Sequence, residues 1–179
     1  MTVFLTGERQ VGKSTALRRA LEGCGLGVGG FMTDFGGTRR SDSKTLYLLP
    51  WGMAPDLAAG EVCARLGPGE KQVFPEVFDG LGAGLLRQAV RDPACGLILM
   101  DELGFLEADA AGFRAAVLEA LAGPKPVLGV VRLGFGVWGG APLGEVWDVT
   151  EDNRDAVAAR LRRRLESLCP GAFRSLEGT

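Results

Sequence analysis

Residues 7–14 of this chain read Gly7-Glu8-Arg9-Gln10-Val11-Gly12-Lys13-Ser14 and form its most informative segment. The segment matches the pattern G-x-x-x-x-G-K-[ST] without a mismatch. It follows the apolar run Val3-Phe4-Leu5 and precedes a helix-like stretch, which is the strand–loop–helix setting that the pattern requires. The glycines let the backbone fold tightly around phosphate oxygens, and the helix directs the positive end of its dipole at the same anion. The segment therefore predicts a loop that binds nucleotide phosphates.

The side chains of this phosphate loop have distinct predicted roles. Lys13 supplies a mobile cation for the β- and γ-phosphates and is a candidate catalytic residue, and the hydroxyl of Ser14 can ligate Mg²⁺. Thr15 adds a second hydroxyl nearby. We expect the nucleotide to be bound by one consecutive run of residues: Gly7, Glu8, Arg9, Gln10, Val11, Gly12, Lys13, Ser14 and Thr15.

Length and composition are those of an ordinary globular protein. At 179 residues the chain is most simply one domain spanning residues 1–179, with a possible small insertion around residues 50–79. The net charge of −2 gives no electrostatic case for nucleic acid or an anionic membrane as a partner. No apolar stretch approaches the ~20 residues of a membrane span, and no secretory leader pattern opens the sequence. We therefore expect a cytoplasmic protein; nothing in the sequence specifies its oligomeric state.

The count of histidines is zero, which restricts the chemistry. Ser-His and Cys-His nucleophilic dyads are excluded, so a catalytic base must be a carboxylate or another group. The cysteines are far apart in sequence and form no C-x-x-C pair, which argues against a zinc site and for reduced thiols in the core. They are Cys24, Cys63, Cys95 and Cys169.

Apolar runs alternate with amphipathic segments along the chain. Strands are predicted at residues 3–6, 26–33, 45–49, 96–100, 127–131 and 145–149, with one more near 72–74. Helices are predicted at residues 14–22, 81–90, 113–121 and about 151–168, the last with Thr150 as its N-cap. Strands that are apolar throughout and separated by helices indicate an α/β fold with a parallel sheet covered on both faces.

Three chemically interesting segments are predicted to follow strands of this sheet. They are the phosphate loop, the pair Asp101-Glu102 and Arg132. Ligands of such folds bind beyond the carboxyl ends of the strands, so we expect these segments to converge there.

The two acids have separate predicted roles at that edge. Asp101 directly follows a buried strand, within reach of the phosphate loop, and is the candidate metal ligand beside Ser14. Glu102 points elsewhere and can orient and deprotonate the water that attacks the γ-phosphate. The alternative is that both acids are ordinary groups at the end of a strand.

Phosphoryl transfer also needs positive charge beyond that of Lys13 and the metal ion. Arg132 is the leading candidate because it ends a strand that points into the same crevice. Other candidates, each of which could equally be a surface cation, are Arg9, Arg39, Arg40 and Arg154. No N-K-x-D motif for guanine is present, and three aromatic residues could stack on a base or pack in the core: Trp51, Phe135 and Trp138.

With these residues in view, the chain resembles the small P-loop nucleoside-triphosphatase family of thermophile and human cancer-related enzymes. The resemblance rests on the phosphate loop with Thr15, on Gly30-Phe31-Met32-Thr33, on Asp101-Glu102-Leu103-Gly104-Phe105-Leu106-Glu107 followed by Phe113, and on Asn153-Arg154. These stretches cover roughly residues 1–165, and the D-E-x-G-x-x-E extension is considerably more specific than a phosphate loop alone.

The resemblance implies a three-layer P-loop fold with a mostly parallel, RecA-like sheet and helices on both faces. In that arrangement the strand bearing Asp101 does not follow directly in sequence after the strand that leads into the phosphate loop. The implied activity is hydrolysis of nucleoside triphosphates (ATP, GTP and others) to diphosphates and phosphate, with Mg²⁺ as cofactor and loose base preference. Asp101 would hold the metal and Glu102 would activate water.

Two other functions fit the same motifs. One is a nucleotide or small-molecule kinase whose acceptor site is formed by residues 35–79; phosphate release without an acceptor distinguishes it from a hydrolase. The other is a non-catalytic nucleotide-binding switch, in which Glu102→Gln has no effect on the lifetime of the bound nucleotide.

Overall fold

The structure is a computed structural model that describes residues 1–36, 44–135 and 144–173. Eight strands in these ranges form one sheet, in the order β5-β4-β3-β2-β6-β7-β1-β8. The strands are β1 Thr2–Thr6, β2 Gly27–Gly36, β3 Lys44–Pro50, β4 Glu61–Gly67, β5 Glu70–Val73, β6 Cys95–Leu103, β7 Val127–Val131 and β8 Glu145–Asp148. The helices are α1 Lys13–Leu21, α2 Pro75–Val77, α3 Ala83–Arg91, α4 Ala111–Ala122 and α5 Arg154–Leu168.

The sheet is parallel in one part and antiparallel in the other. Strands β2, β6, β7, β1 and β8 run parallel, and β3, β4 and β5 extend the sheet beyond β2 in antiparallel pairing. Strand β7 lies between β1 and β6, as in a RecA-like sheet. The predicted α/β architecture with a mostly parallel sheet is therefore confirmed.

Two apolar layers cover the sheet, one on each face. On one face Phe31 and Met100 of the sheet pack with Leu86 of α3 and Phe113 of α4. On the other face the strands pack against α1 and α5, through side chains that include Leu5, Leu97, Leu17 and Leu161. Every residue of β7 is buried, because this strand has a helical layer on both sides. Among the described residues, no helix has the length and apolar character needed to cross a membrane.

Strand β7 also sets how closely its neighbours pack. Gly129 pairs with Phe4 of β1 on one side and with Met100 of β6 on the other. A Cβ atom at Gly129 would lie 2.5 Å from the Phe4 ring and 2.5 Å from the carbonyl oxygen of Met100. A larger residue would have to displace β1 or β6.

The predicted element boundaries differ from the structure mainly at two ends. Strand β6 continues past Met100 to Leu103, because β2 and β7 go on pairing with it on both sides. Helix α5 begins at Arg154 rather than near residue 151. The hydroxyl of Thr150 accepts a bond from the Asn153 amide (3.3 Å), and the Thr150 amide donates to Asn153 Oδ1 (2.9 Å). Thr150 thus caps the turn that leads into the helix, not the helix itself.

The segment 50–79 contains more regular structure than the sequence indicated. The strand predicted near residues 72–74 corresponds to β5, but β4 was missed because its residues do not alternate clearly between apolar and polar. Through β3 both strands continue the same sheet. A turn of π-helix at Phe78–Gly82 precedes α3, so the α-helix predicted from residue 81 starts at Ala83.

The cysteines divide into two pairs. Cys63 and Cys95 are buried, as predicted for core thiols, whereas Cys24 and Cys169 are half-buried; all four are free. Burial raises the pKa of the Cys63 thiol to about 12, so this thiol stays protonated at neutral pH.

Candidate active site

The phosphate loop connects β1 to α1 and has two positions that only glycine fits. Gly7 and Gly12 have φ values of 135° and 94°, which favour glycine. A Cβ at Gly7 would lie 2.3 Å from the Val149 carbonyl oxygen, and one at Gly12 would lie 2.5 Å from Cδ of Arg154. The loop is therefore held between the end of β8 and the start of α5.

The Lys13 ammonium lies within this loop. Lys13 is 9% exposed, and its Nζ donates to the carbonyl oxygens of Gly7 (2.9 Å) and Glu8 (2.7 Å). An ammonium has three donors, so one N–H is left for a phosphate oxygen, and the other two can exchange their partners. The side chain is thus positioned at the place where a bound anion would meet the loop amides.

Ser14 and Asp101 meet although 87 positions separate them in sequence. The Ser14 hydroxyl donates to Asp101 Oδ1 over 3.0 Å. Asp101 is 6% exposed, and burial raises the pKa of its carboxyl to about 6, against the opposing effects of the Ser14 hydrogen bond and the Arg18 charge. The predicted pairing of the phosphate loop with the first acid of β6 is present in the structure.

Glu102 and Arg132 come together at the ends of β6 and β7. Arg132 Nε lies 3.9 Å from Glu102 Oε1, and both side chains are about one-third exposed. The pairing of β6 with β7 shifts between Asp101 and Leu103, so Glu102 occupies a bulge, which turns its side chain away from the regular alternation. An ion pair this long and exposed is weak, so Glu102 can exchange Arg132 for another partner.

Two charged residues near this site had no predicted role. Glu107 is 2% exposed, and its Oε2 accepts a bond from the Gly104 amide (3.0 Å). Burial raises the pKa of Glu107 to about 7. Arg18 lies on α1 four residues after Ser14, on the same helix face, and lines the same cleft. The i,i+4 spacing from Ser14 could have predicted the position of Arg18. The sequence marks Glu107 only as the last acid of the motif Asp101–Glu107.

The remaining predicted residues have mixed placements. Glu8, Arg9, Gln10 and Thr15 line the cleft with the loop glycines, but the Val11 side chain packs against the core beneath α1. Arg154 lies against Gly12 and does not line the cleft. Trp51 packs against the core, and Phe135 contacts Phe105 edge-on at 5.3 Å between ring centroids. Arg39, Arg40 and Trp138 lie outside the described residues.

The phosphate loop, Asp101, Glu102 and Arg132 border one cleft of about 690 Å³ that extends well past the loop. Its distal part, which we call the distal lobe, is lined by seven residues, five of which fall in the segment 35–79 that the kinase alternative names as an acceptor site. They are Thr33, Asp34 and Phe35 of β2, Lys44 and Leu46 of β3, Leu66 of β4 and Lys71 of β5.

A phosphate loop after β1, acids at the end of β6 and the strand order β8-β1-β7-β6-β2 together define a P-loop nucleoside-triphosphatase. A model of the NTPase family matches residues 2–161. The chain belongs to this NTPase family, so the resemblance noted from its motifs and its predicted class of enzyme are confirmed.

Curated relatives and solved structures agree with this assignment. The chain is 29% identical over 175 residues to the nucleoside-triphosphatase THEP1 of Methanocaldococcus jannaschii, covering 92% of this chain and 97% of that protein. The THEP1 of Thermofilum pendens is 32% identical over 182 residues, covering 92% and 95%. The crystal structure of THEP1 from Aquifex aeolicus shares the fold (TM-score 0.68, 21% identity, 93% and 99% covered). The solution structure of a human cancer-related nucleoside triphosphatase is also similar (TM-score 0.64, 25% identity, 93% and 97% covered).

The buried carboxyl of Glu107 predicts a stability change with pH. Its folded pKa of about 7 lies above the ordinary value of 4.5, so the folded state favours the protonated acid. The stability from this group is present below pH 4.5 and is lost as pH rises through about 7. In Glu107→Gln the amide oxygen can still accept from Gly104, and no buried charge forms. We expect the variant to be about 1–3 kcal/mol more stable than the parent at pH 8, and this difference to fall below about 1 kcal/mol at pH 5.

Urea unfolding at the two pH values measures this difference. Glu119→Gln, at a half-exposed acid on α4, makes the same chemical change at the surface and should give no such pH-dependent gain. A Glu107→Gln variant with the same stability difference at pH 5 and pH 8 would contradict the assignment.

Proposed function

We propose that this enzyme hydrolyses nucleoside 5′-triphosphates, ATP and GTP among them, to diphosphates and phosphate, with Mg²⁺ as cofactor and in the cytoplasm. The main support is the hydrogen bond between Ser14 and Asp101. It brings the end of the phosphate loop and the first acid of β6 into one place, which is the arrangement that triphosphate hydrolysis needs.

The residues at this place suit Mg²⁺. A serine hydroxyl and a buried carboxylate offer the hard oxygen ligands that Mg²⁺ prefers. Within the described ranges, no group of three or more Cys, Asp or Glu residues could hold a metal by itself. That fits an ion bound by one or two protein oxygens and completed by substrate phosphates and water. When bound by Ser14 and Asp101, the ion would neutralise charge on the phosphates.

The remaining steps are assigned to side chains of the chain itself. The loop amides and Lys13 bind and orient the β- and γ-phosphates. Glu102 accepts a proton from the attacking water, whose oxygen bonds to the γ-phosphorus while the bond to the β–γ bridging oxygen breaks. Arg132, next to Glu102, offers positive charge to the oxygens on which negative charge develops.

Loose base preference is part of the proposal. Among the described residues, the aromatic side chains that line the cleft are Phe35 and Phe105, and neither lies on the β8 side of the phosphate loop.

The direct test is phosphate release in the absence of any acceptor. ATP, GTP, CTP, UTP and their deoxy forms are incubated with the full chain, with and without Mg²⁺. We expect release from most of these substrates, and only with Mg²⁺. Absence of release from all of them, or release that is unchanged in excess chelator, would contradict the proposal.

Arg132→Ala should slow turnover more than it weakens nucleotide binding. Its guanidinium adjoins Glu102 at the end of β7, whereas the phosphate loop follows the neighbouring strand β1, and no bond from Arg132 to the loop is formed among the described residues. We expect kcat to fall roughly 10- to 100-fold, with KM changed less than about threefold. Steady-state kinetics with ATP measure both. The matched control is Arg163→Ala, which removes an exposed arginine from α5. An unchanged kcat in Arg132→Ala would show that Arg132 takes no part in catalysis.

A further inference from the structure

The cleft is longer than a triphosphate requires. Its lining runs from the phosphate loop on β1, past Asp101 on β6, to Lys71 on β5. In the sheet, β5 lies four strand positions beyond β6. At about 4.8 Å per position, the carboxyl edge extends about 19 Å beyond the strand that carries Asp101. Since Lys13 and Ser14 lie at the end of β1, phosphates bound by them leave the distal lobe open.

The distal lobe contains two lysines brought together by the antiparallel extension of the sheet. Lys44 of β3 pairs with Leu66 of β4, and Leu66 pairs with Lys71 of β5. Directly paired residues project from the same face, so the two lysines flank Leu66 with about 10 Å between their backbones. Among the described residues, neither lysine has a carboxylate within ion-pair distance.

The wall between the lysines and the acids is mainly apolar. Phe35, Leu46 and Leu66 line it, and Lys44 Nζ lies 5.7 Å from the centroid of the Phe35 ring. Asp34 also lines the lobe, but its Oδ1 already accepts the Phe35 amide at 2.7 Å. Two cations above an apolar surface suit an organic molecule that carries an anionic group.

Glu102 lies between this lobe and the phosphate loop. It occupies the bulge of β6 and lines the cleft, while Asp101 before it faces Ser14 of α1. A base in this position can serve a water molecule or a hydroxyl group that enters from the distal lobe.

We propose that the distal lobe binds a small organic phosphate with Lys44 and Lys71, and that a free hydroxyl of this molecule accepts the γ-phosphoryl group. This inference rests on the proposed function, since it uses the same triphosphate. The hydroxyl proton passes to Glu102, the hydroxyl oxygen bonds to the γ-phosphorus, and the bond to the β–γ bridging oxygen breaks, releasing nucleoside diphosphate. Hydrolysis is then the reaction of the same site when water occupies the place of the hydroxyl.

Binding is tested with three probes of increasing size: glycerol 3-phosphate, ribose 5-phosphate and CMP. Each is titrated calorimetrically into the full chain saturated with Mg²⁺ and a non-hydrolysable ATP analogue. We expect saturable binding of at least one probe, roughly tenfold weaker in Lys71→Ala and lost in the Lys44→Ala/Lys71→Ala double variant. The control Arg91→Ala removes one exposed cation at the end of α3, at the opposite edge of the sheet, and should bind as the parent does.

Transfer is tested with ATP labelled at the γ-phosphate. The probe that binds should become labelled, and release of free phosphate should fall as its concentration rises. The proposal is overturned if no probe binds, if both lysine variants bind as tightly as the parent, or if a bound probe is never labelled. Phosphate release from acceptor-free samples reports on the hydrolase separately, so failure of one proposal is distinguishable from failure of the other.

Discussion

Replacing Lys13 by alanine should abolish nucleotide binding and turnover together. Lys13 is buried in the phosphate loop, where the carbonyl oxygens of Gly7 and Glu8 accept the hydrogen bonds that its ammonium donates to described residues. In the nucleotide complex it would contact the β- and γ-phosphates, and such charge-assisted bonds contribute about 1.5–3 kcal/mol each. We therefore expect Lys13→Ala to weaken ATP binding at least about 100-fold, with no measurable phosphate release.

The chain offers a close control for this variant. Lys125 also donates to two main-chain carbonyl oxygens, those of Ala89 (2.7 Å) and Asp92 (2.6 Å), but at the other edge of the sheet. Lys125→Ala should lower the melting temperature and leave ATP affinity unchanged. Calorimetric titration and thermal unfolding of both variants separate loss of a phosphate contact from loss of a structural one. If Lys13→Ala bound ATP as the parent does, the phosphate loop would have no role in recognition.

Glu102→Gln should have the opposite profile, with binding kept and turnover lost. Glutamine has nearly the same shape as glutamate and can still contact Arg132, but it cannot take a proton from water. General-base catalysis contributes typically 10²–10⁴-fold, so we expect kcat to fall at least about 100-fold while ATP affinity changes less than about threefold. Single-turnover hydrolysis of labelled ATP measures the first quantity and equilibrium titration the second.

This variant also separates the enzyme from a nucleotide-binding switch. A switch that uses the phosphate loop only to sense nucleotide would bind ATP tightly in both forms, and the lifetime of the bound triphosphate would not depend on Glu102. The hydrolase predicts a much longer lifetime in Glu102→Gln. Glu119→Gln, a half-exposed acid on α4, should hydrolyse ATP at the parent rate. Equal rates for the parent and Glu102→Gln would remove Glu102 from the mechanism.

The parts of the structure that the sequence predicted are those determined locally. The glycines and Lys13 of the phosphate loop lie within eight residues of one another. The strands that are apolar throughout indicate directly that helices cover both faces of the sheet. Asp101 could be placed because it follows a buried strand. Its contact with Ser14 then follows from the geometry of parallel strands, whose carboxyl ends share one edge.

The parts that could not be predicted depend on pairing between distant segments. Strand β4 has no clear alternation of apolar and polar residues, so it was not predicted. The row formed by Lys44, Leu66 and Lys71 can be recognised only when the antiparallel register of β3, β4 and β5 is known. The bulge at Glu102 likewise arises from unequal pairing of β6 with β7. Burial of the Glu107 carboxyl reflects packing of the loop after β6, which no local pattern encodes.

The position of β7 between β1 and β6 determines which substitutions the active site tolerates. The phosphate-binding half follows β1 and the acidic half ends β6, and the chain that connects Ser14 to Asp101 runs through 87 positions. What fixes their separation is the width of one intervening strand, whose Gly129 leaves no room for a methyl group. The distance between the phosphate loop and the acids is therefore set by the main-chain hydrogen bonds of β7, inside the protein. A substitution in β7 can change catalysis without contacting the substrate.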